Sequence, residues 1–124
     1  IEHSCVFNSA KWLEKQGFKI KFVKVDKFGL IDLKDLEQKI TSKTILVSII
    51  HGNNEIGTLQ DLGKIGDICR KKKVYFHTDA AQSFGKVPID VKRMKIDLLT
   101  ASSHKMYGPK GVACLYIRKG VRIE

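Results

Sequence analysis

Lys105 stands directly after Ser102, Ser103 and His104, at the end of an apolar run over residues 96–101. A second apolar run, residues 112–117, leads away from it. Burial at the end of a strand disfavours an ammonium ion, lowers its pKa and makes the free amine a nucleophile. A lysine on a surface turn is the plainer reading of the same residue. Two further polar clusters favour the chemical one. Asn53 and Asn54 follow the apolar run 44–50, and Asp79 closes the run 74–79, with Gln82 three residues on.

The elements that must position these groups follow from the pattern around them. Residues 4–16 read as a helix with Val6, Ala10 and Leu13 on one face, Ser4 as cap and Gly17 as the left-handed stop. Residues 18–25 alternate, with Phe18, Ile20 and Phe22 on one side, which predicts a half-buried strand near a sheet edge. Asp32 caps a second helix that buries Leu33, Leu36 and Ile40. Residues 44–50 are nearly all apolar, as suits a central parallel strand covered on both faces. A helix over 61–71 turns Leu62, Ile65 and Cys69 inward, a strand follows over 74–79, and a short helix over 91–94 leads to the strand ending at Ala101. The connection 103–111 is too short for a parallel crossover, so residues 112–117 are predicted to run antiparallel. The expected fold is α/β, a mostly parallel sheet with flanking helices and a final antiparallel strand, with residues 1–124 as one domain.

Composition narrows the function. The net charge of +10 raises nucleic acid as a partner, but the lysines are spread along the chain. Their one tight cluster, residues 70–73, sits where cations complement a helix C-terminus and has no aromatic platform beside it. No nucleic-acid partner and no membrane span are expected. The opening Ile1-Glu2-His3 is not a signal peptide, and without an initiator Met the chain is expected to be a piece of something longer. Cys5, Cys69 and Cys114 form no CxxC pair, so reduced thiols and an intracellular compartment are expected. The four histidines lack metal-ligand spacing, and no metal is expected.

In an open α/β sheet, ligands bind outside the carboxyl ends of the parallel strands, and here three such ends carry polar groups. A carboxylate, a lysine amine, an amide and hydroxyls in one crevice suit pyridoxal phosphate, which needs a lysine for its Schiff base and an acid beside its ring nitrogen. Asp79 is the candidate acid, Gln82 or Asn54 the partner of the ring oxygen, and Ser102 and His104 the phosphate contacts. Each also has a local reading: Asp79 as a helix cap, Asn54 as a turn former, Ser102 as a backbone-bonding strand end.

The stretches His51-Gly52-Asn53-Asn54-Glu55-Ile56-Gly57, His77-Thr78-Asp79-Ala80-Ala81-Gln82-Ser83 and Ser102-Ser103-His104-Lys105-Met106-Tyr107-Gly108-Pro109-Lys110-Gly111 closely resemble the cysteine desulfurases. These belong to the class V aminotransferase group of fold-type I pyridoxal-phosphate enzymes, and the resemblance runs from Glu2-His3 to Glu124. It implies that Lys105 is the Schiff-base lysine, Asp79 the partner of the pyridine nitrogen, Gln82 the ring-oxygen contact and Asn54 a cofactor and substrate contact. His3 resembles the histidine that stacks on the ring and helps move protons. Ser102, Ser103 and His104 match the phosphate-side stretch, although the family commonly has a small residue such as glycine in place of Ser103. The implied reaction takes sulfur from L-cysteine, leaves L-alanine and passes a persulfide to an acceptor or scaffold protein. The resemblance also implies a homodimer, with a cytoplasmic or organellar-matrix location. The persulfide cysteine, the upstream phosphate loop and the small C-terminal domain are expected outside these residues, and no turnover is expected of them alone. Other readings are a selenocysteine lyase or small aminotransferase of the same class, or a basic domain that binds nucleic acid or a protein partner.

Overall fold

The most apolar runs of the chain build its sheet. The computed structural model describes residues 1–123; Glu124, where the resemblance ends, lies outside them. Four strands lie in the order β1 (Leu46–Ile50), β2 (Tyr75–Asp79), β3 (Leu98–Ser102) and β4 (Ala113–Ile117). β1, β2 and β3 are parallel. β4 runs antiparallel to β3, from Leu98 opposite Ile117 to Ser102 opposite Ala113, as the short connection predicts.

Alternation along each strand sends Val47, Ile49, Phe76, Thr78, Leu99 and Ala101 to one face, where all are buried. Two helices cover that face. α2 (Leu33–Lys39) and the residue after it supply Leu36 and Ile40; α3 (Leu62–Lys72) supplies Leu62, Ile65 and Cys69. Each large side chain buried this way contributes about 1.5–3 kcal/mol. Both helices start on an aspartate: Asp32 accepts the amides of Lys34 and Asp35, and Asp61 that of Lys64. α3 comes close to the turn over 90–95 because Gly66 has no side chain; a Cβ there would collide with the Met94 carbonyl. The opposite face of the sheet is open over Leu46, Tyr75, Leu115 and Ile117.

One buried carboxylate ties three strands together. Asp97, 4% exposed, accepts the Phe76 amide at 2.9 Å through Oδ2 and Arg118 Nε at 2.5 Å through Oδ1. Arg118 follows β4 and Asp97 precedes β3, so the pair clamps both to β2.

The structure corrects four local expectations. Residues 18–25 form no strand; Val25 alone makes an isolated bridge, to Ile31. Their polar groups are satisfied by α2 instead: Lys21 Nζ donates to the Lys39 carbonyl, Lys39 Nζ to the Phe22 carbonyl, and the Lys24 amide to Asp35. Phe18 and Phe22 are exposed, while Val23, of the other phase, packs on the core. α1 (Ser4–Lys15) buries no residue, and His3 rather than Ser4 caps it, because Ser4 is already helical. Among the described residues β1 lies at the edge of the sheet, and Leu46 is exposed while Ile50 on the same face is buried, so the run 44–50 is not central and is covered on both faces only at its end. Residues 91–94 make turns rather than a helix, capped by Asp90 and stopped by a left-handed Lys95 (φ 55°). Among the described residues, no helix is long and apolar enough to cross a membrane.

Replacing Asp97 by Ala leaves a buried amide and a guanidinium without their acceptor. The expected cost is about 3 kcal/mol of unfolding free energy, read from urea denaturation. Asp97→Asn, which keeps an acceptor for Phe76, costs less.

Candidate active site

Because β1, β2 and β3 are parallel, their carboxyl ends open on one edge, and the polar clusters after them meet there. Asp79 is the last residue of β2, paired with Ile50 on one side and Thr100 on the other, and only 6% exposed. Its Oδ1 accepts the Ala81 amide at 2.9 Å. Its other oxygen makes no bond to another described residue, so the carboxylate keeps an acceptor for a ligand.

The loops on either side are held by short polar contacts. His51 Nδ1 and Ser83 Oγ pair at 2.8 Å in a buried bond that joins the loop after β1 to the turn after β2. Burial holds the His51 pKa below the ordinary histidine value. Gln82 lies half-buried in that turn. Asn53 organises its own loop: its Oδ1 accepts the amides of Glu55 and Ile56, and its Nδ2 donates to the Ile1 carbonyl at 2.9 Å. Asn54 is exposed and its side chain bonds no other described residue.

After β3 the chain turns into one 3-10 turn, Ser103–Met106. Ser102 Oγ and His104 Nδ1 pair at 2.8 Å. The Ser103 hydroxyl donates to the Pro109 carbonyl and the Ser103 carbonyl accepts the Gly108 amide, so Ser103 closes the loop. Tyr107 takes a left-handed conformation (φ 64°) to end the turn, and Gly108 fits because a Cβ would press on Ser103. Lys105 is exposed, which corrects the expectation of a buried amine, and it makes no ion pair with a described residue.

His3 reaches the same edge by a route the sequence did not signal. The carboxylate of Glu2 accepts the Ile50 amide at 2.6 Å, anchoring the residue beside His3 to the end of β1. His3 is exposed; its Nδ1 accepts the Cys5 amide at 3.3 Å and lies 2.9 Å from Cys5 Sγ. Cys5 and Cys114 are exposed, and Cys69 alone is buried, its thiol pushed up to about 12 by burial and by nearby Asp97.

Sequence reading also missed a polar row across the open face. Ser48 Oγ bonds His77 Nδ1 at 2.8 Å, and His77 Nε2 bonds Thr100 Oγ1 at 2.9 Å. Burial lowers the His77 pKa and so favours the neutral ring, with Asp79 pulling the other way. The period of two places His77 on the same face as Asp79, and that was the available signal.

Fold and edge together define an α/β sheet protein that carries polar clusters at the carboxyl ends of its parallel strands. The family described as Aminotransferase class-V matches residues 1–123, and the chain belongs to that family. It is 52% identical over 124 residues to "Cysteine desulfurase IscS" of Clostridium botulinum (strain Hall / ATCC 3502 / NCTC 13319 / Type A), covering all of this chain and 31% of that protein. It is 55% identical over 123 residues to "Cysteine desulfurase, mitochondrial" of Saccharomyces cerevisiae (strain ATCC 204508 / S288c), covering 99% of this chain and 25% of that protein. Among solved structures, a "NIFS-LIKE PROTEIN" superposes with a TM-score of 0.95 at 43% identity, covering 99% of this chain and 34% of that one. "SspA in complex with cysteine" superposes with a TM-score of 0.94 at 46% identity, covering 96% of this chain and 34% of that one. The chain thus spans about a third or less of the relatives it matches.

His77 has its pKa lowered from 6.5 in the folded state. The unfolded chain takes up the proton first as pH falls below 6.5, so the stability due to the neutral ring is present above 6.5. It declines until pH passes the lowered folded value. The slope from this one group is at most about 1.4 kcal/mol per pH unit. Replacing His77 by Gln, which offers a donor and an acceptor without titrating, is expected to make the slope of unfolding free energy against pH just below 6.5 less positive.

Proposed function

We propose that the protein carrying this chain is a pyridoxal-phosphate-dependent cysteine desulfurase that takes sulfur from L-cysteine and leaves L-alanine. The observation that carries the reading is the placement of Asp79 and Lys105 at the carboxyl ends of adjacent parallel strands, β2 and β3, on one edge of the sheet. The names of relatives 52–55% identical to it support the same reading.

The donor set fits the cofactor. Asp79 is buried with one oxygen uncommitted, and Lys105 has an amine free of any ion pair among the described residues. When bound, pyridoxal phosphate supplies a ring that accepts an electron pair from the substrate's α-carbon. Asp79 would hold a proton on the ring nitrogen, because a carboxylate favours the cationic form of a neighbouring base. Lys105 would carry the cofactor and then move the proton at the α-carbon. Gln82 and Asn54 would contact the ring oxygen and the substrate, and Ser102, Ser103 and His104 the phosphate side. His3 would lie against the ring and relay a proton.

The sulfur-accepting thiol belongs elsewhere in the protein. Cys69 is inside the core, Cys114 is fixed in β4, and Cys5 is held in the first turn of α1. A thiolate from another segment would attack the substrate sulfur and become a persulfide. The electron pair of the broken C–S bond would stay on carbon and take up a proton. An acceptor or scaffold protein would receive the persulfide sulfur, and the working enzyme is proposed to be a homodimer in the cytoplasm or an organellar matrix.

Borohydride reduction of the full-length protein with pyridoxal phosphate, followed by peptide mapping, is expected to label Lys105 alone. Label scattered over surface lysines would overturn the reading. Lys105→Ala is expected to lower alanine formation from L-cysteine by at least about 10²-fold. Asp79→Asn, which keeps the shape and removes the charge, is expected to weaken cofactor binding measured by fluorescence titration and to slow turnover.

A further inference from the structure

Glu2 carries the one fully buried side-chain polar atom without a partner among the described residues. Its Oε1 accepts the Ile50 amide, 48 positions away, while Oε2 is buried and unbonded. The Ile50 amide needs an acceptor for a definite reason. The next amide, His51, donates to the Asp79 carbonyl at 2.9 Å, so strand alternation turns Ile50 outward to the open edge of β1. A buried amide left without a partner destabilises the fold, and Glu2 removes that cost.

The same bond decides where His3 stands. α1 buries no residue, so little packing holds its first turn against the sheet. Two polar ties do: Glu2 to Ile50, and Asn53 Nδ2 to the Ile1 carbonyl. Ile50 pairs with Asp79 in the sheet register, which places the Glu2 anchor beside the candidate acid.

We propose that Glu2 is a positioning residue, a carboxyl latch that pins the turn bearing His3 to the last amide of β1 and so sets where His3 stands relative to Asp79. The latch rests on the desulfurase reading for its effect on rate. Burial supports it by pushing the Glu2 carboxyl up to about 7; Asp79 adds to the rise, and the bond from the Ile50 amide opposes it. The acid form still accepts the Ile50 amide through its carbonyl oxygen, so Glu2→Gln is the conservative replacement.

The test uses the full-length protein with Glu2→Ala, Glu2→Gln, His3→Ala and the double variant Glu2→Ala with His3→Ala. Glu2→Ala is expected to lower kcat for L-cysteine by about tenfold to a hundredfold with little change in KM, and Glu2→Gln to restore most of that loss. The double variant is expected to be no slower than His3→Ala alone, because a latch acts only through the residue it places. In the cofactor-free protein, deuterium exchange at the Ile50 amide is expected to speed up in Glu2→Ala and not in Glu2→Gln. Multiplying losses in the double variant would overturn the latch. So would an unchanged kcat in Glu2→Ala while His3→Ala is slow. A silent His3→Ala would sink the desulfurase role of His3 instead, and the latch would then stand or fall on the amide exchange. If Glu2→Ala does not fold, Glu2→Asp, one methylene too short to reach Ile50, takes its place with the same criteria.

Discussion

The candidate site depends on the main chain of Asp79 being gripped from both sides. Its carbonyl accepts the His51 amide, and the next amide, Ala80, donates to the Thr100 carbonyl, both at 2.9 Å. β2 can therefore not shift without breaking the ladders to β1 and β3 together. One residue earlier, the Thr78 hydroxyl donates to the Ile49 carbonyl, and at Phe76 the amide meets Asp97. Each such bond contributes only about 1 kcal/mol net, but a broken one inside the sheet would leave a buried group unpaired. The result is a carboxylate held on a rigid strand with one oxygen free, while more exposed groups approach it from loops.

The two faces of the sheet solve different problems. The helix side is filled by apolar side chains, which stabilise without directing anything. The other side carries the row Ser48, His77 and Thr100, which spans three parallel strands. A neutral imidazole is the side chain suited to that span, since it offers one donor and one acceptor at opposite ends of a rigid ring. A protonated ring would have two donors, and burial works against that form. Both ring nitrogens of this half-buried row have a hydroxyl partner, as a polar network must to rigidify its surroundings. Glu2, with one bonded and one orphaned oxygen, is the contrasting case.

Much of this was legible in the chain because parallel topology converts separate motifs into neighbours. Three apolar runs, each ending in polar residues, are enough to place Asn54, Asp79 and Lys105 on a common edge once the strands are parallel. The antiparallel β4 followed from a loop length alone. What was not legible depended on partners far along the chain. The alternation over residues 18–25 reported a two-sided segment but not what would bond it, and the bonds came from Lys39 and Asp35. The face of α1 that reads as apolar buries nothing. The contact from Glu2 to Ile50 crosses 48 residues and leaves no local trace.

Lys105 shows where position and reactivity separate. Its backbone is fixed tightly: the Ser103 amide donates to the Val112 carbonyl at 3.0 Å, the Gly108 amide returns to Ser103, and Tyr107 accepts a left-handed conformation to make the turn. A non-glycine residue there costs on the order of 1 kcal/mol, which the surrounding bonds must offset. The amine itself projects from this fixed turn without a partner among the described residues. Burial in the strand would activate an amine, yet the strand ends at Ser102 and Lys105 is exposed. These residues therefore determine where the Lys105 amine stands and which carboxylate it shares an edge with. Desolvation of the amine has to come from whatever packs over that edge, a bound cofactor included. Placement of the amine is built into the sheet, and under the proposed function its strength as a nucleophile depends on that edge being covered.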